Sequence, residues 1–146
     1  MKKLIVLFAL IATNVAGQSH QSDILKFVDD NKGIKVGGGL CYELVQGAIQ
    51  SFDPSYDLKS TMDKGVGKKV KRSDVQPGDI VIMSGGTKRV ANHIAIVYSV
   101  SGEDIFVAEQ NTKGSLKKSI VVVDRLDFEY HEEYYGKIKY SFYRPL

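Results

Sequence analysis

The stretch NHIAIVYSVSGEDIFVAEQN, Asn92 to Asn111, is the part of the chain whose reading decides the fold. Two runs rich in β-branched and aromatic residues, His93 to Val100 and Asp104 to Asn111, flank Ser101-Gly102-Glu103, which is the pattern of a β-hairpin. The first run opens on a histidine and the second closes on Glu109-Gln110-Asn111. An imidazole and a carboxylate are costly to bury without partners, so the register of the hairpin matters. With Ser101 to Glu103 as the loop, Val100 pairs with Asp104, which sets Ala95 opposite Glu109 and His93 opposite Asn111. Directly opposed residues share a face, so His93, Ala95 and Val97 lie with Val107, Glu109 and Asn111. A slip of one residue would separate the histidine from both polar candidates.

Upstream, Gln76-Pro77-Gly78-Asp79 has the Pro-Gly pair of a type II turn and leads into Ile80-Val81-Ile82-Met83, which Ser84-Gly85-Gly86 ends. Downstream, Ser119 to Asp124 and Lys137 to Tyr143 read as further strands, about five in all. The N-terminal half has the other periodicity. Ile24, Phe27 and Val28 share one helical face, with Ser22 as N-cap and Gly33 as stop. In VGGGLCYELVQGAIQSF, the residues Cys41, Leu44, Val45, Ala48, Ile49 and Phe52 fall at the spacing of a helix that packs one face on a core. Gly37 to Gly39 let the backbone turn sharply into that helix. Asp53-Pro54 ends it, and Ser55 to Arg72 reads as a long loop with at most a short helix. Helices first and a mostly antiparallel sheet afterwards is the order of an α+β domain.

The chain has 146 residues, 43% apolar and 25% charged, the composition of one globular domain. Lys2 and Lys3 precede the apolar run LIVLFALIA and the small residues Val15-Ala16-Gly17, so residues 1–17 read as a signal peptide and 18–146 as the domain. The run is far shorter than the roughly 20 residues that span a bilayer. No stable membrane insertion is expected after cleavage, and the location is secreted or periplasmic. Removing two of the twenty basic residues against seventeen acidic ones leaves the mature chain near neutrality, which names no polyanionic partner; nucleic acid is not expected. The basic run KGVGKKVKR, Lys64 to Arg72, reads as a solvated loop. Cys41 is the one cysteine, and an unpaired thiol in an oxidising compartment points to a reactive group, an intermolecular bridge or a small buried hydrophobe.

The positions favour reactivity. Cys41 opens a helix, where the dipole and an adjacent imidazolium both favour a thiolate. His93 would take the thiol proton and return one to a leaving amine, while Glu109 or Asn111 fixes which ring nitrogen faces the sulfur. The Cys41 N–H, behind three glycines, would stabilise an oxyanion.

The order Gly-x-Cys at a helix start, Pro-Gly-Asp-Ile-Val, His-Ile-Ala-Ile-Val, Val-Ala-Glu-Gln-Asn and Tyr-Arg-Pro resembles the CHAP domains, the cysteine- and histidine-dependent amidohydrolases and peptidases. The resemblance runs from about Gly37 to Pro145. It implies a papain-like α+β fold, a catalytic set Cys41, His93, Glu109 and Asn111, no cofactor, and a peptidoglycan amide or peptide bond as substrate. The NlpC-type peptidases are similar through Pro-Gly-Asp and the strand-opening histidine, but their third residue is more often another histidine. The chain departs from the CHAP pattern at Glu43, where an aromatic residue is common, and it has no tryptophan. Glu43 in the first helical turn would tend to raise the thiol pKa.

Other readings are weaker. His20, His93 and His131 are scattered and one cysteine cannot make a structural zinc site. Gly65-Val66-Gly67-Lys68-Lys69 lacks the spacing of a phosphate loop. The tyrosines at 130, 134, 135, 140 and 143 fit strand packing better than base stacking. A non-catalytic wall-binding or protein-binding module on the same fold, or a cysteine acyltransferase, stands as the alternative to a monomeric hydrolase.

Overall fold

The computed structural model describes residues 15–58, 66–85, 93–111, 119–129 and 136–146. The apolar run of the expected signal peptide, most of the loop after Leu58 and His131 lie outside the described residues. Two helices, α1 (Val15–Asn31) and α2 (Cys41–Gln50), precede six strands. These are β1 (Lys68–Val70), β2 (Ile80–Gly85), β3 (His93–Ser101), β4 (Asp104–Glu109), β5 (Val122–Arg125) and β6 (Ile138–Arg144). All pairings are antiparallel, in the order β1-β6-β2-β3-β4-β5. The fold is α+β.

The sheet separates two apolar layers. On one face, Ile80, Ile94, Ile96 and Ala108 pack with Ile24 and Val28 of α1 and with Leu44, Val45, Ala48 and Ile49 of α2. On the other, Val81, Met83, Ala95, Val97, Ile105, Val107 and Phe142 pack with Val75 and Leu126. Strands β2 and β3 are covered on both faces, which is why Ile80 to Met83 and Ile94 to Val97 are continuous apolar runs rather than alternating ones. Among the described residues no helix is long and apolar enough to cross a membrane.

Several expectations need correction. Among the described residues the sheet has six strands where about five were expected: β1 lies in the segment read as a loop, pairing Val70 with Phe142 at the sheet edge. Three residues are too few to show an alternation. Lys68 and Lys69 of the basic run are exposed on it, and lysines on an edge strand discourage further strand pairing. The first helix starts at Val15 rather than after Ser22, and carries His20 over Phe52 with ring centroids 4.3 Å apart. The strand expected over Asp104 to Asn111 ends at Glu109, because Asn111 adopts φ 63° and turns the chain out of the ladder. The last ladder pair is Ile96 with Ala108, so the expected pairing of His93 with Asn111 lies beyond the end of the ladder.

The hairpin also turns more tightly than expected. Ser101 pairs with Asp104, and Val100 with Ile105, one residue off the expected register. A β-bulge between Val97 and Ser99 absorbs the difference, and from Val97 inward the expected register holds, with Val97 opposite Val107. The extra residue is Tyr98, whose hydroxyl donates to Asp29 (2.9 Å) and accepts from Lys32 Nζ (2.6 Å) at the end of α1.

A buried ion pair explains two of the motif fragments. Asp79, of Pro-Gly-Asp, is fully buried and accepts two hydrogen bonds from Arg144, of Tyr-Arg-Pro, at 3.0 and 3.1 Å. Gln76 N–H (2.8 Å) and Gln21 Nε2 (3.2 Å) complete its shell. The start of β2 is thereby tied to the end of β6 and to α1.

Candidate active site

Cys41 is the first residue of α2, and its entry is built by a glycine-rich segment. Gly37 and Gly39 have φ of 58° and 93°, a conformation that costs other residues energy. The N-cap, Leu40, has no side-chain oxygen to offer; instead Glu43 in the first turn turns back and accepts from the Leu40 N–H at 2.7 Å. Glu43 thus supplies half of a capping box.

The sulfur meets His93 at the mouth of the sheet. Alternation puts His93 on the side of Ala95 and Val97, and as the first residue of β3 it stands at the end of that strand. Cys41 lies close enough to the imidazole, and to the backbone of Ile94 and Tyr42, for all three to lower its thiol pKa. His93 Nε2 lies 2.7 Å from Glu109 Oε2, with the two side chains only 19% and 14% exposed. With Nε2 held by the carboxylate, the ring nitrogen left for the sulfur is Nδ1.

The electrostatics follow from these contacts. Burial alone would push the Cys41 thiol up; the hydrogen bond to His93, the charge of the imidazolium and the two backbone N–H groups outweigh it, and the thiol lies below its ordinary value. Burial would lower His93, but its hydrogen bonds to Cys41 and Glu109 and the charges of both raise it from 6.5 to about 9. Both shifts favour a thiolate and imidazolium pair. The upward push expected from Glu43 does not prevail, since the thiol lies below its ordinary value with that carboxylate in the first turn of α2.

Of the four residues singled out in the sequence, three are therefore brought together: Glu109 is hydrogen-bonded to His93, and His93 and Cys41 shift one another's pKa. Asn111 Oδ1 instead accepts from Ser119 Oγ at 3.5 Å, and the carboxylate on the imidazole is that of Glu109. The CHAP domain family model matches residues 29–111, more than half of the chain and all four of these positions. The chain belongs to the CHAP domain family. Two solved structures share the CHAP chain's fold. The crystal structure of Ly7917 aligns with a TM-score of 0.60 at 18% identity, covering 86% of this chain and 62% of that one. The crystal structure of Ly7917 with the hydrolyzing product of MDP aligns with a TM-score of 0.60 at 19% identity, covering 86% and 63%. The chain thus spans less than two thirds of the length of these neighbours. Among curated proteins nothing matches it.

Sequence reasoning passed over Gln110. It is fully buried and hydrogen-bonded to the segment that carries Cys41. The signal was present: β4 is covered on both faces, so a glutamine continuing that strand has to find polar partners inside the protein. Among the described residues no cluster of three His, Cys, Asp or Glu side chains is placed to hold a metal.

Proposed function

We propose that this CHAP protein is an exported cysteine hydrolase that cleaves an amide or peptide bond of peptidoglycan. The observation that carries the reading is the grouping of Cys41, first residue of α2, with His93, whose Nε2 is held by Glu109 at 2.7 Å. Family membership and the neighbour solved with the hydrolyzing product of MDP support the substrate class. Export is supported by the two lysines and apolar run at residues 2–12.

The chemistry runs as follows from the chain's own residues. The Cys41 thiolate adds to the amide carbonyl carbon, and the carbonyl electrons move to oxygen, where the Cys41 N–H and the positive end of α2 stabilise the charge. Collapse breaks the C–N bond as His93 donates its proton to the departing nitrogen. A thioester remains on the sulfur. Water, deprotonated by the now neutral His93, hydrolyses it and restores the thiolate and imidazolium pair. Glu109 keeps Nε2 engaged throughout, so the ring presents Nδ1 to each proton transfer.

Incubating purified muropeptides with the protein and with Cys41→Ala, then identifying fragments by mass, tests the proposal. New fragments whose masses sum to that of the muropeptide plus one water, absent with Cys41→Ala, are expected. Unchanged muropeptides with the unsubstituted protein would remove the proposed substrate.

A further inference from the structure

Glu109 reaches toward His93, and the next side chain along the chain reaches the opposite way. That side chain is Gln110, which is 0% exposed. Its Oε1 accepts from the Val36 N–H at 3.2 Å, and its Nε2 donates to the Val36 carbonyl at 3.0 Å and to the Leu40 carbonyl at 2.7 Å. Only one orientation of the amide satisfies all three, since the oxygen cannot donate and the nitrogen cannot accept.

The bond to Leu40 is the consequential one. The Leu40 carbonyl and the Cys41 N–H belong to a single planar trans peptide unit and point in opposite directions. Whatever holds the carbonyl therefore aims the N–H. The segment needs such a hold, because Gly37, Gly38 and Gly39 offer little resistance to rotation about their own bonds. Its beginning is pinned to β5's approach, where Gly33 N–H donates to Val121 O and Val121 N–H to Ile34 O, both at 2.9 Å. Its end is pinned by Gln110 and by Glu43, whose backbone N–H also donates to the Leu40 carbonyl at 3.0 Å.

We infer that Gln110 is a positioning residue for the oxyanion donor: by holding the Leu40 carbonyl it keeps the Cys41 N–H aimed at the carbonyl under attack. This rests on the reading of Cys41 as nucleophile. The dipeptide Glu109-Gln110 then serves both halves of the reaction, one side chain orienting the base and the other the backbone that stabilises charge.

Two probes of the full chain separate this role from a general one, and the lone cysteine makes both reports specific. Iodoacetamide alkylates the thiolate by displacement at a saturated carbon, with no oxyanion. With p-nitrophenyl acetate the sulfur adds to the carbonyl, an oxyanion forms, the C–O bond breaks and p-nitrophenolate departs with the bonding pair, leaving an acetyl thioester on Cys41. Gln110→Met removes the clamp, and Gln110→Glu keeps the shape and the acceptor for Val36 while its ionised form cannot donate to Leu40. In both variants, acylation is expected to slow roughly 10- to 100-fold, since outright loss of an oxyanion donor costs about 100- to 1000-fold. The rate of alkylation and its midpoint in pH are expected to stay within about twofold of the unsubstituted protein, because alkylation follows the thiolate alone. Equal slowing of both probes, or of neither, overturns the inference. Loss of the folded circular-dichroism signal in both variants would assign Gln110 to the fold and overturn it too. Failure of the unsubstituted protein to be acylated while it is alkylated counts against the hydrolase reading itself, and takes this inference with it; that result is visible before any variant is made.

Discussion

Two ion pairs sit on the same sheet and do opposite work. Asp79 and Arg144 form a two-bond contact around a fully buried carboxylate, which also accepts from Gln76 and Gln21. Glu109 and His93 share one hydrogen bond of 2.7 Å, and the imidazole's other nitrogen is turned to a thiol. A guanidinium does not give up its proton in the range where proteins are folded, and its hydrogen bonds with Asp79 raise its pKa further. The first pair is therefore a permanent joint. An imidazole flanked by two acidic partners can pass its proton to either side, so in the proposed reaction the second pair is where protons move. What separates structure from chemistry here is the titratable neighbour, not the charge.

The contrast can be broken at four points. The largest effect is expected from His93→Ala, which should cut turnover of a muropeptide or ester substrate by at least about 1000-fold, the scale of losing an acid-base group together with nucleophile activation. Its thermal midpoint, followed by circular dichroism, should move little. Asp79→Ala should show the reverse: a loss of about 1–3 kcal/mol in urea denaturation, because Arg144, Gln76 N–H and Gln21 all lose their acceptor, and activity per folded molecule that stays near normal. Collapse of activity in well-folded Asp79→Ala would undo the division of labour drawn here.

Glu109→Gln should be intermediate, with turnover down by roughly 10- to 100-fold. It also has a signature in pH. For the unsubstituted protein, the reactive pair exists only above the lowered pKa of Cys41 and below the His93 value of about 9, so kcat/KM should be bell-shaped with its alkaline limb near pH 9. Removing the carboxylate's charge should move that limb to lower pH. The same shift has a sign for stability: His93 binds its proton more tightly folded than unfolded. Its contribution is complete below about pH 6.5, and is lost as pH rises through about 9. A pH titration of the thermal midpoint checks this. The smallest effect should come from Lys26→Ala. The Lys26–Asp30 pair is short, at 2.6 Å, yet its side chains are 72% and 59% exposed, and no change in thermal midpoint beyond scatter is expected. Distance alone would have ranked this pair above the other two.

Much of this arrangement was legible in the sequence because it depends on periodicity. The apolar spacing from Cys41 to Ile49 placed the thiol at a helix start, and alternation in the hairpin placed His93 and Glu109 on one face. Both are properties of single elements, set by local sterics. What was not legible depends on contacts between elements. The three residues of β1 are a strand only because β6 is there to pair with them. Whether Glu109 or Asn111 would meet the imidazole was decided by the left-handed turn at Asn111, two residues after β4 ends at Glu109. Gln110 itself stood in the quoted stretch, but its partners lie 70 and 74 positions away, beyond what a local pattern can report.

The bulge at Tyr98 divides the long hairpin into two registers, and α1 holds the division in place through Asp29 and Lys32. Without it, the tip's pairing would carry through to the mouth and bring Gln110 rather than Glu109 round to the imidazole. Because that correction is anchored by a helix and not by the turn, the outer arm is insulated from the inner one. Gly102 and Glu103 accordingly mark a handle: an epitope or a reporter group can be spliced there, on a solvent-facing projection, with the reactive end of the hairpin undisturbed.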